Sequence, residues 1–230
     1  MNFHRSHTLL SLVVLLLIVS LLEGCASLAY LPGQQTIGTL RIIGPNVWVN
    51  ETPAIDGQTI TNGDHVTTGA ASSAYINFLS GGFIQLDENT DPGFKLVWEK
   101  TKCIFLILKH RTGQAYQQTT ADDCPSVYET PFGKWIRNDT QFNVQVNQQQ
   151  TVMTVLEGTM KLVSPQQMSQ QQGQQMIVTK SGVHSVKQLT GKELREVTRW
   201  RVRFPPPGAG GDLAQVDAAN APTDRLITNQ

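Results

Sequence analysis

Charge is scarce in this chain. Only 16% of its 230 residues are Asp, Glu, Lys or Arg, and 18 acids balance 18 bases. Soluble domains usually carry roughly 25%. A chain this neutral has no field of one sign to hold a polyanion, which disfavours general nucleic-acid binding. Histidine is sparse as well. Outside the first seven residues it occurs at His65, His110 and His184, with no H-x-x-x-H or similar spacing, so each is expected to be a surface or turn residue. There is no G-x-S-x-G elbow for a serine nucleophile and no G-x-x-x-x-G-K-[ST] loop for a nucleotide. No catalytic residue, metal-ligand set or cofactor is expected. Neutral polar residues fill the gap, with 23 Thr, 22 Gln and 11 Asn. The aliphatic and aromatic content is nevertheless too high for a wholly disordered chain.

The longest apolar run is residues 8–22 (TLLSLVVLLLIVSLL), preceded by a short polar stretch with Arg5. As a helix it would cover about 22 Å, less than the roughly 30 Å hydrocarbon core, which favours a secretory signal peptide over a spanning helix. The run ends Leu22-Glu23-Gly24-Cys25. This string resembles the bacterial lipobox, although Glu23 departs from the small neutral residue usual there. The resemblance implies a signal peptide over 1–24, lipidation of Cys25 and a linker over 25–36. It also implies an outer-membrane lipoprotein facing the periplasm of a Gram-negative cell, held by its lipid anchor. Two cysteines then remain, Cys103 and Cys124. In an oxidising compartment they are expected to form a disulfide, contributing about 3 kcal/mol by loop closure; two free buried thiols are the alternative.

From residue 37 onward alternation of apolar and polar residues dominates. Residues 39–42, 47–50, 74–79, 83–86, 142–147, 151–156, 159–163 and 174–178 read as strands. Turn signals lie between them at Gly44-Pro45, Asp56-Gly57, Asn62-Gly63 and Gly81-Gly82. Glu157-Gly158 reads as the turn of a hairpin, and the apolar run 103–108 as a strand buried on both faces. The acidic cluster 87–91 reads as a solvated turn and the Gln-rich stretch 166–175 as a polar loop. The fold class expected is all-β, a two-sheet sandwich or solenoid-like stack of about ten short strands over 37–189, with one C-terminal α-helix. Thr190 and Glu193 form a capping box for that helix over 190–203, with Leu194, Val197 and Trp200 or Arg201 on one side of it. The segment 204–230 is expected to be disordered.

Several of these strings together resemble the FecR-like domain. They are TITNGDHVTTG (59–69), SAYINF (73–78), GFIQL (82–86), Glu88-Asn89-Thr90, VYETPFG (127–133), TQFNV (140–144) and TVLEG (154–158). The resemblance covers about 120 residues and implies an extracytoplasmic β domain that binds a partner. In the founding proteins that domain relays a receptor signal to a cytoplasmic anti-sigma segment. Only seven residues precede the apolar run here, so a relay by this chain alone is not expected. The expected role is non-catalytic binding, scaffolding or sensory assistance to an envelope protein or the cell wall. The alternatives are a component of a split sigma/anti-sigma signalling system and an enzyme acting on envelope glycans.

The neutral total conceals a gradient. Residues 180–203 carry a net +5, balanced by an acidic body and tail. Lys192, Arg195, Arg199 and Arg201 are therefore the candidate contacts to a partner or to anionic cell wall. A merely solvated helix face is the alternative.

Overall fold

The computed structural model describes residues 35–98, 104–119 and 126–205. Its strands are β1 Thr36–Ile43, β2 Val47–Val49, β3 Thr52–Pro53, β4 Thr59–Thr61, β5 Val66–Thr68, β6 Ser73–Phe78 and β7 Phe83–Leu86. They continue as β8 Asp91–Trp98, β9 Ile104–Gln118, β10 Ser126–Thr130, β11 Gly133–Val146, β12 Gln150–Ser164, β13 Met168–Gln171, β14 Gln174–Thr179 and β15 Gly182–Gln188. One α-helix follows, α1 Gly191–Thr198, running into a 3-10 turn, Arg199–Arg203. The all-β class with a single C-terminal helix is what the alternation predicts. The described residues hold fifteen strands, several of them long, where the turn signals suggest about ten short ones. Cys25, Cys103 and Cys124 lie outside the described residues, as do 1–34 and 206–230.

Twelve strands form one sheet, ordered β15-β14-β12-β11-β10-β9-β7-β6-β1-β4, with β13 on β12 and β8 on β9. The remaining three, β3-β2-β5, form a second small sheet. Two long strands each serve two sets of neighbours. The first part of β9 pairs with β8 and, in parallel, with β10; its last six residues pair with β7 and β11. β11 pairs with β10 before Asn138 and with β9 from Gln141. Gly113 stands where β9 changes partners, at φ +96°, and a Cβ there would lie 2.4 Å from Thr90 Oγ1. Only glycine fits that position without strain.

Gly158 is not a hairpin turn. It interrupts a single continuous β12 as a bulge, at φ +76°, and a Cβ there would lie 2.4 Å from the Asp139 carbonyl oxygen. The register of β11 against β12 shifts at this place, so the glycine signal marks close backbone approach, not reversal. The Gln-rich stretch is likewise not a loop. β13 and β14 occupy it, and the buried Gln170 amide donates to the carbonyls of Met153 and Gln174.

Cross-strand rungs define the core. Leu40, Ile76, Ile84, Gln117, Phe142 and Val155 lie opposite one another in turn, and the next rung carries Ala74, Leu86, Ala115, Val144, Met153 and Met176. All are buried. Gln117 occupies an otherwise apolar rung because its amide oxygen accepts from both Nη atoms of Arg137, at 3.0 and 2.7 Å. Burial lowers the Arg137 pKa to about 9. His110 is also buried, which overturns its expected place at the surface. Its Nε2–H donates to the Thr112 carbonyl at 2.8 Å, which leaves Nδ1 to accept from the Tyr128 hydroxyl at 2.7 Å. Burial drives its pKa down to about 4. Leu106 and Leu108 are buried while Ile107 is half-buried and Lys109 exposed, so this part of β9 packs mainly through one face.

Candidate partner-binding face

Successive residues of a strand point to opposite faces, so each core rung implies a second row on the other side of the sheet. That row runs Arg41, Tyr75, Gln85, Tyr116, Asn143, Thr154, Gln175 and Lys187 across eight strands. Gln114 and Gln141 lie two residues along from it, and Asp87 follows β7. Six of them are drawn from the Thr, Gln and Asn that the composition shows in surplus. Aromatic rings stand among them. Phe83 lies 6.0 Å from Tyr75 and 5.7 Å from Tyr116, centroid to centroid.

The C-terminal segment seats on this row. Thr190 and Glu193 close the expected capping box, fixing where α1 starts. Glu193 also pairs with Lys187 at the end of the row, and Lys187 with the Thr190 hydrogen bonds holds its carboxyl down to about 2. The Gln114 side-chain amide donates to the Val197 carbonyl at 3.3 Å. The Trp200 indole N–H donates to Asn143 Oδ1 at 2.9 Å, with the ring 8% exposed. The Arg201 guanidinium lies 3.6 Å over the Tyr116 ring, a cation–π contact, and its Nε–H donates to Gln85 Oε1 at 2.9 Å. Tyr75 Oη and Gln85 Nε2 both donate to the Phe204 carbonyl, at 2.7 and 2.9 Å.

Arg203 completes the contact. One Nη spans both carboxylate oxygens of Asp87, at 2.9 and 2.8 Å, and the other reaches Glu88 at 2.9 Å. Burial raises the Asp87 pKa despite the Glu88 backbone N–H and Arg203, which both favour the charged form; desolvation outweighs them. Glu88, more open to water, is held below its usual range by the Ala71 backbone N–H and Arg203. Burial also raises the Tyr116 hydroxyl pKa, against the pull of Arg201.

The four basic residues expected from the sequence do not share a location. Lys192, Arg195 and Arg199 are exposed, and Arg199 pairs with Glu196 at 3.4 Å. Arg201 turns inward onto Tyr116 and Gln85. Arg203, Asp87 and Glu88 are missing from the sequence expectations, which treat 87–91 as a solvated turn; Asp87 is instead buried beneath Arg203. The alternation of Arg201 and Arg203 after a large apolar residue is the signal for the pair. Its carboxylate partners lie more than one hundred residues away along the chain. Among the described residues no group of three or more His, Cys, Asp or Glu could hold a metal ion, and no helix is long and apolar enough to cross a membrane.

The arrangement recognises an indole and two guanidinium groups. Its carboxylates are neighbours in sequence and tied to one arginine, not opposed across a cleft. No family model matches the chain, and no curated protein matches it. Two crystal structures, at 2.50 and 1.65 Å, of a candidate anti-sigma factor from Parabacteroides distasonis do match it in fold. Each aligns with a TM-score of 0.50 and 17% identity, over 59% of this chain and 63% of that one. The chain therefore spans a little under two thirds of that protein's length. At this identity the likeness is one of fold.

Proposed function

We propose that this chain is a non-catalytic binding module of the bacterial envelope, a lipid-anchored protein whose FecR-like β domain docks a protein partner as a scaffold or sensory accessory. One observation carries the proposal. The sheet presents a continuous row of phenol, amide and carboxylate side chains that already grips a peptide segment through its indole, guanidinium and carbonyl groups. Peptide recognition on a sheet face asks for such groups held on rigid strands. The FecR-like strings support the domain assignment: 59–69 spans β4, a turn and β5, while 73–78 and 82–86 carry β6 and β7. The fold likeness to a candidate anti-sigma factor favours a second version, a component of a split sigma/anti-sigma signalling system. An enzyme acting on envelope glycans is the weakest alternative, because the acids at the face are engaged by Arg203.

Reversible crosslinking of the full-length, membrane-anchored protein tests the proposal. The expected result is a stoichiometric envelope-protein partner whose recovery falls at least tenfold with Asp87→Lys. Recovery of glycan cleavage products with no protein partner would overturn it. A partner that proves to be an anti-sigma factor would select the signalling version.

A further inference from the structure

The C-terminal segment covers a face that has no need of cover. The row beneath it ends in phenols, amides and carboxylates, which water satisfies, while the apolar rungs of the core lie on the other side of the sheet. α1 buries none of its own side chains, and Trp200 is the buried residue of the 3-10 turn. Lifting residues 190–205 would therefore uncover the Trp200 indole and the Tyr75 and Tyr116 rings beneath it, while the apolar rungs on the other side of the sheet stay closed.

The groups that grip the segment also have anchors of their own. Glu88 Oε2 accepts the Ala71 backbone N–H at 3.0 Å. The Asp87 backbone N–H donates to the Gln114 carbonyl at 2.9 Å. The Tyr116 hydroxyl donates to Gln141 Oε1 at 3.0 Å. None of these bonds involves the segment, so the Glu88 carboxylate, the Tyr116 ring and the backbone that carries Asp87 keep their anchors when it leaves. Preorganisation of this kind lowers the cost of binding another occupant.

We propose that residues 190–205 form a displaceable latch, and that the face beneath docks a partner-protein segment presenting the same chemistry, one indole beside two guanidinium groups in a W-R-x-R arrangement. This rests on the partner-binding role proposed above. The carboxylates of Asp87 and Glu88 select a guanidinium, Tyr116 stacks a second, and Asn143 takes an indole N–H. The partner displaces the latch by offering the same contacts, so latch and partner compete and the latch sets the threshold for docking.

Two measurements on the full chain test the latch. In wild type, the Trp200 indole proton is expected to exchange with solvent at least a hundredfold faster than the backbone amides of the central strands β11 and β12. Exchange at the rate of those amides would mean opening only by global unfolding, and would overturn the latch. A labelled peptide of residues 190–205 is then titrated onto the Trp200→Ala/Arg203→Ala variant. Binding at least tenfold tighter than to wild type is expected, and so is a tenfold loss when Tyr116→Leu and Asp87→Asn are added. A variant that melts like wild type yet binds no more peptide would overturn the proposal; if the variant does not fold, indole exchange decides alone. A wild-type dimer that trades segments between copies would overturn the assignment to a different partner. Peptide binding without any envelope partner would sink the binding-module proposal and keep the latch. Slow indole exchange with a partner recovered would sink the latch alone.

Discussion

His110 makes the fold acid-sensitive in a definite pH window. Its ring is buried and neutral, bonded to the Tyr128 hydroxyl and the Thr112 carbonyl, and burial lowers its pKa from 6.5 to about 4. Between those values the unfolded chain takes up a proton at this position and the folded chain does not. Stability is therefore full above pH 6.5 and is lost as pH falls toward 4, by about 3 kcal/mol in all. Asp56, Glu88 and Glu193, whose carboxyls sit below their usual range, also lose stability in acid, and Asp87, raised by burial, works in the opposite direction. Subtracting a variant isolates the histidine. His110→Gln keeps a donor for the Thr112 carbonyl but cannot acquire a charge. Urea unfolding at pH 7.5 and 4.5 should show the variant weaker at neutral pH by about 1 kcal/mol, from an imperfect fit and the changed bond to Tyr128. It should also lose about 2–3 kcal/mol less than wild type on acidification. Parallel losses in the two proteins would refute the assignment of a neutral, buried His110.

Other positions give sharp expectations. Arg137 is a buried cation held by Gln117, with no carboxylate at hydrogen-bond distance among the described residues, so the Arg137→Met/Gln117→Leu double variant should gain about 1–4 kcal/mol in urea unfolding; a loss would show that the pair stabilises the fold. Gly113→Ala should cost about 1–3 kcal/mol in thermal unfolding, since the new Cβ meets Thr90 in a left-handed backbone; a wild-type melt would contradict the strain. At the chain's address, Cys25→Ala should release the protein from membranes, and non-reducing mass mapping should join Cys103 to Cys124. Persistent attachment, or free thiols on both, would count against lipidation or the bridge respectively.

The elements were legible wherever local chemistry decides them. Alternation at residues 74–78 and 83–86, turns at Asn62-Gly63 and Gly81-Gly82, and the Thr190–Glu193 capping box all appear as strands, turns and a helix start. What stayed hidden depends on register. Gly158 carries the same signal for a turn and for a bulge, and only the Asp139 carbonyl opposite it decides between them. His110 looked like an isolated polar residue because its partner hydroxyl, Tyr128, arrives on a neighbouring parallel strand. The polar row could not be read at all. Tyr75, Gln85, Tyr116 and Asn143 are unremarkable polar positions of separate strands until pairing sets them side by side. The basic C-terminal stretch was visible from composition, but pairing divides it, with Arg201 and Arg203 turned to the sheet and Lys192, Arg195 and Arg199 turned to solvent.

The central claim is that the polar face of the sheet, and not another surface, docks an envelope protein. Site-specific photocrosslinking in living cells tests it most directly, with a photoreactive residue at the exposed Gln145, two residues along β11 from Asn143, and a control at the exposed Lys180 in the β14–β15 turn. The account predicts a discrete protein adduct from position 145 that disappears with Asp87→Lys, and none from position 180. Equal adducts from both positions, or an adduct from 145 indifferent to Asp87→Lys, would contradict it.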